Sequence, residues 1–399
     1  MIFNRNNRNR NKRGFRFLKI LLILCLCTVV LIPNTFATVS SSSAQSKSQV
    51  QNTSAKASPT KSRETVTVML TGDIMCQPMQ QKTAFNGKSY NFKPTFQYVR
   101  PIFKQAYIVI GNLETLISKS SPLSKNQARL KGKPYLNSPK SFLKALKYAG
   151  FDGFATANNH ACDGGETGIR ETIKQLDGMG FKHTGTFTSK KSKRYFTIKK
   201  NGITIGILSY GNYYNLKEDT LSSSKQKYML NKITTQKSLN KDVKALKKAG
   251  AEYIIAYNHC GDEYSHVPAK RQKRYAKMLA QAGVNYIIGS HPHVLQPYGK
   301  VKYNGKSYPV IYSMGNFVSS MKKSSTKEAI ILSLTLSRTK SGKVVLKKQK
   351  YYPCIMLKKY KGKSYVLMPE SEKYNGDFDS SKYRKRFNHI RKIVGKLSR

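Results

Sequence analysis

From residue 64 onward, short β-branched apolar runs alternate with segments whose apolar positions recur every three or four residues. The first pattern suits strands buried on both faces, the second amphipathic helices. Strands are predicted at Thr65–Leu70, Tyr107–Ile110, Phe151–Ala157, Ile203–Ser209, Glu252–Tyr257, Asn285–Ile288 and Pro309–Ser313. Helices fit between several of them. Ser138 and Pro139 supply an N-cap and first-turn proline; Leu143, Leu146 and Ala149 share a face, and Gly150 ends the helix. Ile169, Ile173 and Leu176 mark a second helix, closed by Gly178 or Gly180. Leu239, Val243 and Leu246 mark a third before Gly250, and a fourth runs from about Pro268 to Gly283.

Helix, Ala-Gly or Met-Gly stop, then strand: this unit appears four times, and it reads as layered α/β architecture, not as a solenoid repeat. Residues 212–236 are polar and irregular and read as a surface excursion. Residues 326–370 read as later strands completing a domain over 64–325, with an edge position expected from their Tyr and Lys. Residues 371–399 read as a basic tail, helical or disordered.

Charge and hydropathy add two further regions. Arg5, Arg8, Arg10, Lys12, Arg13, Arg16 and Lys19 precede an apolar run from Ile20 to Ile32, so residues 1–37 read as a signal peptide or membrane anchor. The run is short for a free-standing span, and the positive flank would keep the N-terminus inside. A secreted form and an uncleaved anchor both fit. Residues 38–63, rich in Ser, Thr and Lys and free of acids, read as a flexible linker. The expected location is therefore the extracellular face of the cell membrane.

Lys and Arg number 72 against 19 Asp and Glu, a formal +53, and seven of those positives fall in residues 1–37, which leaves +46 for the remainder. Such a field favours an anionic polymer, anionic lipid or wall polymer as partner. A solvated Lys-rich surface and a dedicated polyanion groove both account for it. The basic residues are spread and no nucleic-acid motif stands out, so nucleic acid is the least favoured partner.

The candidate chemistry sits where the predicted strands stop. Gly72-Asp73, Gly111-Asn112-Leu113-Glu114, Asn158-Asn159-His160, Asn258-His259 and Gly289-Ser290-His291-Pro292-His293 each follow one strand. Carboxyl ends of strands gather at one sheet edge, so residues distant in sequence can meet there. Asp73, Glu114, Asn159, His259, His291 and His293 form a mixed nitrogen and oxygen set, suited to one or two ions of Mn, Fe or Zn rather than Ca. Four of the seven histidines lie in these clusters; His183, His266 and His389 do not and read as structural or surface residues.

The stretches MLTGDIM, GNLET, ATANNHACDGG, NHCGDEYSHVPAKRQ, IIGSHPHVLQP and YSMGNF, spanning roughly residues 66–318, resemble the CapA capsule-synthesis family. That family is linked to poly-γ-glutamate and sits within the calcineurin-like metallophosphatase superfamily. The resemblance implies a four-layer α/β/β/α sandwich with metal at the sheet edge. It implies Glu114 as a bridging carboxylate, Asp73 and His293 on one metal, and Asn159, His259 and His291 on the other. His160 would be the general acid or would orient the scissile group, and Asn112, Glu263 and Asn316 would support the ligands or meet substrate. It further implies poly-γ-glutamate or a similar anionic polymer, and capsule-synthesis membrane proteins, as partners. A hydrolase or transferase cutting a phosphoester or amide bond fits, as does a non-catalytic polyanion-binding or assembly protein. Two departures bear on this. The superfamily's Asp-x-His is Asp73-Ile74-Met75 here, and Cys260 follows His259 where a Trp is usual. Cys76, Cys162 and Cys260 lie close in sequence to site residues; packing, a disulfide and soft metal ligation all remain open for them, and Cys260 is expected to line the pocket.

Overall fold

In the computed structural model, the described residues are 64–121, 123, 129–130, 133–371, 373–374 and 376–397. The signal or anchor segment and the linker lie outside them.

The strands among these residues form two sheets and a short ribbon. In the first sheet the order is β16 (Lys363–Pro369), β15 (Val344–Tyr360), β14 (Glu328–Arg338), β1 (Thr65–Ile74), β2 (Ile108–Leu113), β5 (Gly153–Ala155) and β6 (Lys182–Thr184), with β13 (Asn316–Val318) also paired to β1. In the second it is β11 (Leu295–Tyr303), β12 (Lys306–Met314), β10 (Tyr286–Ser290), β9 (Tyr253–His259), β8 (Ile203–Gly211) and β7 (Phe196–Lys200). The ribbon pairs β3 (Arg129–Leu130) with β4 (Lys133–Pro134). β1, β2 and β5 run parallel in the first sheet, and β8, β9 and β10 in the second.

Alternation along the strands explains the layering. Val66, Val68 and Leu70 of β1 and Ile108 and Ile110 of β2 meet Ile205, Ile207, Ile255 and Ile288 of the second sheet in one buried core. Met69 and Val109 point the other way, onto α2 (Lys93–Phe96), α3 (Arg100–Phe103) and α4 (Lys140–Ala149), where Phe96, Phe103, Phe142 and Leu146 fill a second core. The short helix α1 (Pro78–Ala84) follows β1, and α5 (Gly165–Gly178) adds Leu176 to the same face. Outside the second sheet, α7 (Gln236–Lys248) and α8 (Lys270–Ala282) bury Leu239, Val243, Leu246, Ala276 and Leu279 against Leu208, Ile254 and Ile287. Helix, sheet, sheet, helix is the four-layer order expected.

Two expectations change, and the helical alternative for the tail is the one found. β14 is no edge strand: it lies between β1 and β15, and β16 takes the edge. Its run from Ala329 to Ser333 is buried throughout, as an interior strand requires. Residues 212–236 are not merely a surface excursion. They hold α6 (Ser223–Met229) and bury Tyr214, Lys217, Leu221, Met229 and Leu230. The tail forms α9 (Arg384–Val394), whose Phe387, Ile390 and Val394 close the core between the sheets. At about 1.5–3 kcal/mol for each large apolar side chain removed from water, that stripe is sufficient to dock the helix.

Candidate metal centre

β1, β2 and β5 bring Asp73, Glu114, Asn159 and His160 to the carboxyl edge of one sheet; β9 and β10 bring His259, His291 and His293 to the same edge of the other. All seven are buried. Glycine matters here through close approach. A side chain at Gly72 would meet the Gly315 carbonyl oxygen at 2.1 Å, and one at Gly289 the Tyr312 carbonyl oxygen at 1.9 Å. Neither position has the positive φ of a tight turn, so glycine serves close backbone packing beside the site.

Two sets of donor atoms cluster within 4.8 Å: Glu114 with His291 and His293, and Asp73 with Glu114 and His259. Glu114 belongs to both. His259 Nε2 lies 2.9 Å from Asn159 Oδ1 and 3.6 Å from Glu114 Oε1. His293 Nε2 lies 3.9 Å from Glu114 Oε1, and its Nδ1 lies 3.5 Å from Asp73 Oδ2. The peptide N–H of His291 donates to Asp73 Oδ2 at 3.2 Å. His291 and His293 both have left-handed backbone, φ 98° and 60°, with Pro292 between them. Such conformations cost of order 1–3 kcal/mol each and persist where the surroundings enforce them.

The supporting residues have definite contacts. Asn112 Nδ2 donates to Asp73 Oδ1 at 2.8 Å and lies 3.2 Å from His259 Nδ1. Asn316 Oδ1 is 2.9 Å from His293 Nδ1, which leaves Nε2 turned to Glu114. Glu263 is exposed, at the mouth of a cavity of about 540 Å³ that His259, His291, Cys260 and Arg271 also line. Cys260 thus lines the pocket, as expected. Cys76, Cys162 and Cys260 are buried and outside any disulfide among the described residues, and neither donor set includes them. Burial pushes the Cys76 thiol up to about 12 and Cys260 to about 11. His183, His266 and His389 bond Asp177, the Leu295 carbonyl and Glu328, away from the site.

The electrostatics of the centre suit a cation. Both Glu114 carboxylate oxygens and His291 Nδ1 are buried without a hydrogen-bond partner. A buried carboxylate with no donor is costly in a protein interior. Burial, and then the charge of Asp73, push the Glu114 acid well above its usual range. Burial and the neighbouring imidazoles push His259 well down and His291 to about 3, so both rings are neutral. For His293 the bond to Asp73 and its charge outweigh burial and raise the ring. Neutral imidazoles beside bare carboxylate oxygens are the donor set that a divalent cation satisfies.

The sequence reading missed Ser290, Asp163 and Lys217. Ser290 Oγ holds His259 Nδ1 at 3.0 Å. Asp163 Oδ2 is 2.7 Å from His160 Nδ1, and Lys217 Nζ is 2.5 Å from Asp163 Oδ1. Asp163 lies within ATANNHACDGG, three positions after His160; nothing local marks Lys217.

The family model described as "Bacterial capsule synthesis protein PGA_cap" matches residues 67–321. The chain belongs to this family. Two curated relatives are similar to it. The chain is 28% identical over 278 residues to the capsule biosynthesis protein CapA of Bacillus anthracis, covering 69% of this chain and 65% of that protein. It is 28% identical over 293 residues to the PGA biosynthesis protein CapA of Bacillus subtilis (strain 168), covering 71% of each. The match thus spans slightly under two thirds of the first relative's length. Among solved structures, the calcineurin-like phosphoesterase YfkN from Bacillus subtilis is similar at a TM-score of 0.48 and 16% identity, over 82% of this chain and 99% of that one.

Proposed function

We propose that this PGA_cap family member acts at the outer face of the cell membrane, held there through residues 1–37, as a metal-dependent hydrolase or transferase on an anionic capsule or wall polymer such as poly-γ-glutamate. The observation that carries the reading is the buried Glu114 carboxylate, whose oxygens have no hydrogen-bond partner and whose Oε1 faces both His259 and His293, with His160 on the same sheet edge.

Asp73, Glu114, Asn159, His259, His291 and His293 would hold one or two ions of Mn, Fe or Zn. When bound, such a cation polarises a substrate oxygen and acidifies water. Asp163 fixes the Nδ1 side of His160, so the ring gives its Nε2 proton to the leaving group as the scissile bond breaks. The water consumed adds its oxygen to the phosphorus or carbonyl carbon and returns one proton to His160; in transfer, an acceptor hydroxyl or amine replaces it. Lys323, whose Nζ stands 4.1 Å above the Tyr264 ring, meets the polymer's charge beside His293, to which Tyr264 is a ring neighbour at 6.3 Å.

A second reading, in which the site holds polymer carboxylate through metal without turnover, draws on Met75. It occupies the place of the superfamily's third ligand on the first metal and is buried in the core. The deciding assay is metal-dependent cleavage of a chromogenic phosphodiester and of poly-γ-glutamate by wild type and His160→Ala. Cleavage of either by wild type and its loss in the variant support the enzyme; no turnover of either with metal bound leaves the holding role.

A further inference from the structure

A lysine in a protein core calls for a reason, because its ammonium group is costly to remove from water unless paired. The Lys217 side chain is entirely buried, as is that of its partner Asp163. Lys217 Nζ donates to Asp163 Oδ1 at 2.5 Å and to the Pro134 carbonyl oxygen at 2.6 Å. The other oxygen, Asp163 Oδ2, accepts from the Leu136 peptide N–H at 2.6 Å and contacts His160 Nδ1 at 2.7 Å. The three side chains form one row that ends at the imidazole.

The backbone is bent to achieve this. Asn215 and Leu216 both adopt left-handed φ, 58° and 59°, which sends Leu216 into solvent and Lys217 inward. Thr220 Oγ1 then ties down the Lys217 carbonyl at 2.6 Å. The same loop reaches the metal centre, where Asn215 Oδ1 faces Asn159 Nδ2 at 3.5 Å.

The hydrogen-bond roles in this row are fixed by chemistry. An ammonium group only donates and a carboxylate only accepts. With one Asp163 oxygen engaged by Lys217, the other takes a proton-bearing Nδ1 from His160, which leaves Nε2 as the nitrogen turned away from the pair. We infer that Lys217 is a positioning residue: by charge and direct contact it orients Asp163, and through Asp163 it sets which nitrogen of His160 is presented to the substrate. This rests on His160 being the proton donor proposed above. A simple structural tie between residues 212–221 and the His160 loop would stabilise the fold but would not set the imidazole proton.

Two full-length variants separate these roles: Lys217→Met, and Lys217→Met combined with Asp163→Asn, which leaves no unpaired buried charge. The first readout needs neither metal nor turnover. In the ¹H–¹⁵N spectrum of histidine side chains, wild type should show a downfield Nδ1–H resonance that is absent in His160→Gln. It should move upfield in Lys217→Met and vanish in the double variant. The second readout is kinetic. kcat should fall by about tenfold or more, a part of the 10²–10⁴ that general acid catalysis contributes. KM should hold, and the fall should be larger for a poor leaving group than for p-nitrophenolate. An unchanged resonance in a folded Lys217→Met protein would overturn the inference, as would equal losses for good and poor leaving groups. Failure of both variants to fold would also overturn it, since the pair would then serve stability. If wild type cleaves nothing, the enzyme reading falls, and the resonance alone still decides whether Lys217 sets the His160 proton.

Discussion

The hydroxyl of Tyr257, on the second sheet, donates to the carbonyl oxygen of Ile110, on the first, at 3.0 Å. It also lies 3.2 Å from the Thr71 carbonyl oxygen. Tyr257 is two residues before His259, Thr71 two before Asp73, and Ile110 four before Glu114. One phenol therefore fastens together the two sheet edges that carry the centre. Replacing Tyr257 with Phe keeps the packing and removes that tie. Stability should fall by about 1 kcal/mol, the usual net worth of a buried hydrogen bond. That corresponds to roughly 1–2 °C in melting temperature for a domain of this size. Metal affinity should fall with it, because the two halves of the donor set lose their common anchor. Thermal denaturation and metal titration of Tyr257→Phe test both parts.

Lys323 and Tyr264 make a different kind of prediction. Tyr264 has left-handed φ of 66°, and its peptide N–H bonds the Pro292 carbonyl at 2.8 Å, so the ring is held at the rim. Lys323→Ala removes a cation from that rim without touching a donor atom. KM for anionic polymer should rise about threefold to tenfold, in line with an exposed cation–π contact together with its charge. kcat should stay near the wild-type value. The effect should shrink as salt is raised, since exposed charges are screened. Steady-state kinetics at two ionic strengths measure it.

Glu171 sets a pH-dependent expectation for the fold. Its carboxylate accepts from Ser118 Oγ, Ser120 Oγ and the peptide N–H groups of Lys119 and Ser120. The Ser118 and Ser120 hydroxyls, then the Ser120 peptide, lower it to about 2 from an ordinary 4.5. A depressed carboxyl contributes stability that is fully present above the unfolded value and is lost as pH falls through the folded one. Wild type should therefore lose this contribution between about pH 4.5 and pH 2. Glu171→Gln should be less stable at pH 7, and the gap to wild type should close over that acid window. Denaturant melts at a series of pH values follow it.

How much was legible in the sequence depended on burial. β2, β9 and β10 are buried throughout, and β1 from Val68 onward, so their apolar runs announced them, and the candidate ligands sit where those runs end. α4 ends at Gly150 in left-handed conformation, as its sequence signalled, although Pro139 rather than Ser138 occupies the cap. β11 was hidden because it is half-exposed: residues such as Lys300 and Lys302 alternate with apolar ones, a pattern shared with loops. Lys217 was illegible for another reason. Its partners Asp163 and Pro134 are 54 and 83 residues away, and only the tertiary fold makes a buried lysine sensible there.

Glu114 is proposed to anchor a divalent metal centre. Metal content of the purified full-length chain, measured by elemental mass spectrometry alongside Glu114→Gln, tests it most directly. About one or two equivalents of a transition-metal ion are expected in wild type, with a large loss in a Glu114→Gln protein whose circular dichroism is unchanged. A wild-type chain that retains no divalent metal after metal supply, or a variant that retains as much as wild type, would contradict it.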